Sequence, residues 1–159
     1  MYDLIIIGAG ASGFFTAIHF AYQHPNSKLL IVEKSRELLN KVKISGGGRC
    51  NVTHACFDRS ELLRNYPRGS KFLKGPFFSF FTEDTIDWFE SRGVPLKVES
   101  DNRVFPVSDS SQSIIDCLIK EAQANGILIQ TETGIHSIVK NENSCGIYLE
   151  RFLIILRRV

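Results

Sequence analysis

The chain has 159 residues, 43% of them hydrophobic and 23% charged, with a formal net charge of +2. That length suits a single domain able to bury roughly 70% of its unfolded surface, and the composition is that of an ordinary soluble globular protein. No stretch reaches the ~18 to 20 apolar residues of a membrane span, and a charge this close to zero argues neither for nor against a nucleic-acid partner.

Asp3 stands where a secretory leader would carry basic residues, so no leader is expected. Cys50, Cys56, Cys117 and Cys145 lack CxxC spacing and read as reduced thiols of a cytoplasmic protein. Without secretion, the sequon Asn51-Val52-Thr53 is read as a chance match.

In chain order, Asp3 to Ile7 is a short apolar run of the kind found in parallel strands, which helices cover on both faces. A turn with Gly8, Gly10 and Gly13 follows, then a helix expected from about Ala11 to Gln23, a turn at Pro25-Asn26-Ser27 and a second strand from Lys28 to Val32. Each glycine has its own reason: Gly8 permits the tight turn, Gly10 leaves room for a pyrophosphate, and Gly13 allows close helix–strand packing. The helix N-terminus presents free N–H groups and a positive dipole end to phosphates. Glu33 stands 20 residues beyond Gly13, where a carboxylate accepts hydrogen bonds from ribose hydroxyls and repels a 2′-phosphate. Together these features define a dinucleotide site in a Rossmann-like α/β fold, with both FAD and NAD open as ligands.

Between Lys34 and Lys74 lie ten Lys and Arg residues against Glu37, Asp58 and Glu61. This segment is either a phosphate-binding surface or a solvated basic face. Within it, Lys41 to His54 holds three consecutive glycines that let the backbone lie against a flat ligand, with Ser45, Arg49 and Asn51 as donors; a flexible loop tip is the plainer reading. Cys50, His54 and Cys56 lack zinc spacing, so no metal is expected.

Residues 57–92 read as helical with breaks at Tyr66-Pro67 and Gly75-Pro76, and they carry a cluster of Phe72, Phe77, Phe78, Phe80 and Phe81. Thr82 is the expected N-cap of a helix from about Glu83 to Arg92. Strands are expected over Val94–Glu99 and Arg103–Val107, followed by a helix capped by Ser108, Asp109 or Ser110 and closed at Asn125-Gly126. Two further strands, Ile127–Gln130 and Ile135–Lys140, precede a hairpin turn at residues 141–143.

GAGASG at Gly8–Gly13, Glu33-Lys34, KISGGGRCNVTH at Lys43–His54 and NRVFPVSDSSQSIIDCL at Asn102–Leu118 together resemble the YhiN/BaiN-like family of FAD-dependent oxidoreductases, also described as NAD(P)/FAD-dependent or aminoacetone-oxidase-like. The resemblance covers roughly residues 2 to 145. It implies that the turn formed by Gly8, Ala9, Gly10, Ala11, Ser12 and Gly13 holds the FAD pyrophosphate. It also implies that Glu33 takes the adenosine ribose, with Lys34 beside the adenine and Ile135 binding adenine through its backbone. Ser45, Gly46, Gly47, Gly48, Arg49, Cys50 and Asn51 would follow the ribityl chain and flavin, with NAD(P)H as a transient reductant. A cation at Arg49 or Lys43 would favour the anionic reduced flavin.

The expected fold is therefore an incomplete FAD/NAD(P)-binding domain with a parallel sheet of the three-layer ββα type. Residues 1–146 form its N-terminal part, with a helical insertion at about 57–92. Residues 147–159 read as an atypical tail, the product of a shifted frame or premature stop, a natural short form completed by a partner, or a terminal strand or helix docking onto the sheet, with the substrate domain and the return to the FAD domain expected to be absent. The resemblance fixes no substrate, because relatives act on small amines, steroid-like acids and RNA bases; no membrane or stable nucleic-acid partner is expected. An inactive nucleotide-binding fragment and an RNA-directed module stand as the rival readings. No acid or base is assigned among His19, His24, His54 and His136.

Overall fold

The computed structural model describes residues 2–140, 144–149 and 153–157. The chain forms two compact units, one from residues 1–42 with 118–159 and one from residues 43–117.

The first unit is built on a three-stranded parallel sheet of β1 (Leu4–Ile7), β2 (Leu29–Val32) and β6 (Leu128–Gln130), in the order β1-β2-β6. Leu4 pairs with Leu29 and Leu30 with Leu128. All four residues of central β2 are buried, whereas Ile7 at the end of edge strand β1 is 51% exposed. The continuously apolar pattern thus marks β2 as the core strand, and β1 is buried only in part.

Helix α1 (Ala11–Gln23) has the bounds its period predicts and buries Phe14, Ala17, Ile18 and Ala21, which recur at helical spacing. Each large side chain so buried contributes about 1.5–3 kcal/mol. On alternate residues of β1, Ile6 comes close to Gly13 of α1 and Ile5 clusters with Leu30 and Val32, against which Ile135 packs. Ile135 opens β7 (Ile135–Lys140), the first strand of an antiparallel meander with β8 (Ser144–Leu149) and β9 (Leu153–Arg157). Helix, parallel sheet and antiparallel strands are the expected three layers. The turn expected at residues 141–143 lies outside the described residues.

The second unit begins in α2 (Asn40–Ile44), which passes into a 3-10 turn at Ser45–Gly48. Its sheet is antiparallel, with the central strand β5 (Arg103–Pro106) between β3 (Thr53–His54) and β4 (Leu96–Val98). Between β3 and β4 the chain folds as four short helices, α3 (Arg59–Arg64), α4 (Ser70–Leu73), α5 (Pro76–Ser79) and α6 (Thr82–Glu90). Asp58 caps α3 by accepting from Glu61 N at 2.8 Å.

The cap of α6 differs from expectation. Phe81 is the N-cap residue, its N–H donating to Asp84 at 2.6 Å. Thr82 is buried in the helix, where its hydroxyl donates to the Cys56 carbonyl at 2.8 Å. The aromatic cluster also divides. Phe81 is buried and joins Cys56, Leu62 and Phe77, whereas Phe72 and Phe78 are 86% and 68% exposed. Helix α7 (Ser111–Ala124) buries Ile114, Ile115, Leu118 and Ala122 and is followed by Gly126 at φ +67°.

Candidate functional site

In the first unit, the strand β1 ends at Gly8, whose φ of +105° a side chain would strain. The chain then enters α1 at Gly10, which has extended φ/ψ and supplies no side-chain cap. No acid stands in the first turn of α1, so the helix brings no carboxylate of its own to its free N–H groups and positive dipole end. Ala9 is buried, while Gly10, Ala11 and Ser12 are exposed.

The three glycines serve different ends. A Cβ on Gly13 would lie 2.2 Å from the Gly8 carbonyl oxygen, so only glycine fits between helix and turn. A Cβ on Gly10 would meet nothing within 4 Å, and the φ of Gly10 is −86°, open to any residue. The protein's own packing and backbone geometry therefore give no reason for glycine at position 10.

Glu33 sits at the end of β2 and closes over this turn. Its carboxylate accepts from Ala9 N at 2.9 Å through one oxygen, and from Ser35 N and Ser35 Oγ at 2.9 Å through the other. The Ser35 N–H, and then the Ala9 N–H, hold the Glu33 carboxyl below its ordinary value. The Ala9 peptide is held from its other side too, because its carbonyl accepts from Leu39 N at 2.9 Å. Leu39 itself is buried with φ +54°. Lys34 is exposed beside this loop, and the Glu33 carbonyl accepts from Thr133 N, two residues before Ile135. The turn, Glu33, Lys34 and Ile135 thus belong to one unit.

In the second unit, Gly46, Gly47 and Gly48 have φ of +55°, +68° and +87° and form a tight turn rather than an extended strap. A Cβ on Gly46 would lie 2.9 Å from both Asn51 N and Phe105 Cε1, so the turn sits directly on the buried Phe105 ring. Cys50 N donates back to the Ser45 carbonyl at 3.0 Å. Burial pushes the Cys50 thiol up, although its hydrogen bond with Ser45 works the other way, so at neutral pH it is no thiolate nucleophile.

Arg49 stacks over Phe105 with its guanidinium carbon 4.0 Å from the ring centroid, and it pairs with Glu99 at 2.6 Å and Asp109 at 3.4 Å. Lys97 also reaches Asp109, at 2.5 Å. The hydrogen bond to Glu99 leads in holding the Arg49 pKa up, and Lys97 leads in holding Asp109 down. Arg49 is therefore a clasp fastening the glycine turn to the β4–β5 hairpin, its charge met by two carboxylates. Among the described residues no three His, Cys, Asp or Glu side chains gather as a metal site.

Ser35, Leu39, Glu99, Phe105 and Asp109 are the supporting residues that the sequence reading did not assign. Phe105 and Asp109 do lie in the RVFPVSD block, where Phe105 has no expected role and Asp109 is expected only as a candidate helix cap, whereas it pairs with Arg49 and Lys97. Glu99 gave no signal, because its link to Arg49 spans 50 residues.

A parallel sheet, a glycine turn into an uncapped helix and an acid at the end of the next strand define a Rossmann-type nucleotide-binding domain. The chain belongs to the family described as the HI0933-like protein Rossmann domain, whose model matches residues 2–152. It is 30% identical over 141 residues to the ribosomal RNA dihydrouridine synthase of Escherichia coli (strain K12), covering 89% of this chain and 34% of that protein. It is 28% identical over 133 residues to the 3-dehydro-bile acid delta(4,6)-reductase of Clostridium scindens, covering 84% and 32%. The chain thus spans about a third of the length of these curated relatives. Among solved structures, FrdA of E. coli quinol fumarate reductase superposes with a TM-score of 0.69 at 19% identity, covering 98% of this chain and 31% of that one, which shows a shared fold. No helix among the described residues is long and apolar enough to cross a membrane.

Proposed function

We propose that this chain is the nucleotide-binding part of a flavoprotein oxidoreductase, with FAD as the resident cofactor and a nicotinamide dinucleotide as its transient reductant. The observation that carries this reading is Gly10: space for a Cβ stands open beside an uncapped helix N-terminus, as a phosphate cradle requires. The residues present fit the group. Gly10 and the first turn of α1 would take the pyrophosphate. Glu33 is held ionised, and a carboxylate oxygen that accepts from Ala9 N can also accept from a ribose hydroxyl. The same charge repels a 2′-phosphate.

Lys34 would lie beside the adenine and the Ile135 backbone would bind it. Ser45 to Asn51 would lie along the ribityl chain and ring, with Arg49 holding that turn in shape. Bound there, FAD supplies the two-electron redox chemistry, and the protein's share is orientation and electrostatics. Membership in a family whose relatives include a reductase supports this reading, and the differing substrates in the two relatives' names leave the substrate open.

The test is a titration of the purified chain with FAD, followed by flavin absorption and fluorescence quenching. Saturable uptake is expected; a colourless protein that takes up no added FAD refutes the proposal. Uptake with no NAD(P)H-driven reduction is the result expected of a binding fragment without catalysis.

A further inference from the structure

We propose that the cavity beside β3 is a substrate subsite for a neutral planar ring with a hydrogen-bonding edge, an inference that rests on the flavoprotein reading above. The cavity has a volume of about 330 Å³ and lies wholly within the 43–117 unit. Three of its lining rings form a tilted series: Tyr66 and Phe77 are 5.8 Å apart at 63°, and Phe77 and Phe81 are 5.6 Å apart at 68°. Such edge-to-face arrays present both ring faces and ring edges, the surfaces that hold another flat ring.

The polar part of the lining comes from Asn51, Thr53 and His54. The hydroxyls of Thr82 and Thr85, also at the cavity, already donate to the Cys56 and Phe81 carbonyls. Among the described lining residues none is an acid, a lysine or an arginine. Arg59 lies over the Phe81 ring, 5.0 Å from its centroid, with its Nε–H donating to the Phe77 carbonyl, but it is not among the lining residues, so a neutral ligand is the one that needs no ion pair inside the cavity. The volume is at the lower end of the small-molecule range and suits one or two fused rings. Asn51 ties the cavity to the reaction, because it also ends the glycine turn proposed to follow the flavin. A ring held here therefore borders the cofactor.

The test uses 2-naphthol, a neutral two-ring probe, titrated into the whole 159-residue chain with and without FAD by ligand-observed NMR and calorimetry. Saturable one-site binding is expected. It should weaken about three- to tenfold in Tyr66→Ala, which removes one ring of the array, and comparably in Thr85→Leu, which fills the cavity. Tyr66 lies in the exposed loop between α3 and α4, so that variant decides the matter if Thr85→Leu misfolds, with far-UV circular dichroism as the folding control. Non-saturable binding, or unchanged affinity in the folded variants, overturns the subsite. FAD uptake without 2-naphthol binding overturns the subsite alone. Binding of 2-naphthol by a chain that takes up no FAD overturns the flavoprotein reading, and with it the cavity's role as a substrate subsite.

Discussion

Alanine at Gly13 and at Gly10 should separate what the fold needs from what the ligand needs. At Gly13 the added Cβ would lie 2.2 Å from the Gly8 carbonyl oxygen and 3.3 Å from Ile6 Cγ2. The first neighbour is backbone, so no rotamer relieves the contact, and the helix or the turn must move by about an ångström, at a cost of about 1–3 kcal/mol or more. Ala is better than Gly in a helix by about 1 kcal/mol, which offsets only part of this. A contact of 2.2 Å with backbone puts the cost at the upper end of that range, so a net loss of about 2 kcal/mol is expected, each kcal/mol lowering Tm by about 2–4 °C in a chain of this size. FAD affinity should fall as well, because the atoms displaced form the turn proposed to hold the pyrophosphate.

Gly10→Ala meets no protein atom within 4 Å. The weaker capping by Ala, about 0.5–1 kcal/mol, is offset by a similar loss of unfolded-chain freedom, so stability should hardly change. The Cβ would still stand in the proposed pyrophosphate space, and FAD affinity should drop by about tenfold or more, equivalent to about 1.4 kcal/mol. Thermal unfolding by circular dichroism and FAD fluorescence quenching on the same samples provide both readouts. Gly10→Ala protein that binds FAD as tightly as the parent would refute the cradle, and Gly13→Ala protein with an unchanged Tm would refute the packing account.

Three more outcomes follow from the supporting residues. Glu33→Gln replaces one acceptor oxygen by an NH2 group that must face an N–H donor, costing about 1 kcal/mol after allowance for partial exposure. Because the folded pKa of Glu33 is depressed, its contribution is complete above the unfolded value of about 4.3 and is lost as pH falls through the folded value; the stability gap between parent and variant, measured by urea denaturation, should close in acid. Phe105→Ala removes a fully buried ring from beneath Gly46 and Arg49 and should cost about 3–5 kcal/mol, read from the same denaturation curves. In Arg49→Ala, amide hydrogen exchange should quicken at Ser45–Asn51 with no change at Leu29–Val32; equal quickening in both segments would rule out a local clasp.

Local chemistry made the nucleotide half of this chain legible in the sequence. The glycine spacing, the period of Phe14, Ala17, Ile18 and Ala21, and the position of Glu33 depend on neighbours within a few turns, so α1 and the positions of β1 and β2 could be read directly. Gly13 also met its expected reason, since helix–strand proximity is built into the strand–turn–helix unit. The tertiary structure decided whatever depends on distant partners. Ala9 meets Glu33 across 24 residues, and Arg49 meets Glu99 and Asp109 across 50 and 60. Such contacts form only once strands such as β3 and β5 have paired, and no local propensity encodes that pairing. The same holds for the exchange of cap roles at Phe81 and Thr82, where burial of the Thr82 hydroxyl against Cys56 overrode a good capping residue. The sequence alone thus placed the glycine turn before α1 and the acid at the end of β2, and the fold showed that Glu33 holds that turn, and Arg49 the Gly46–Gly48 turn, through contacts the linear order conceals.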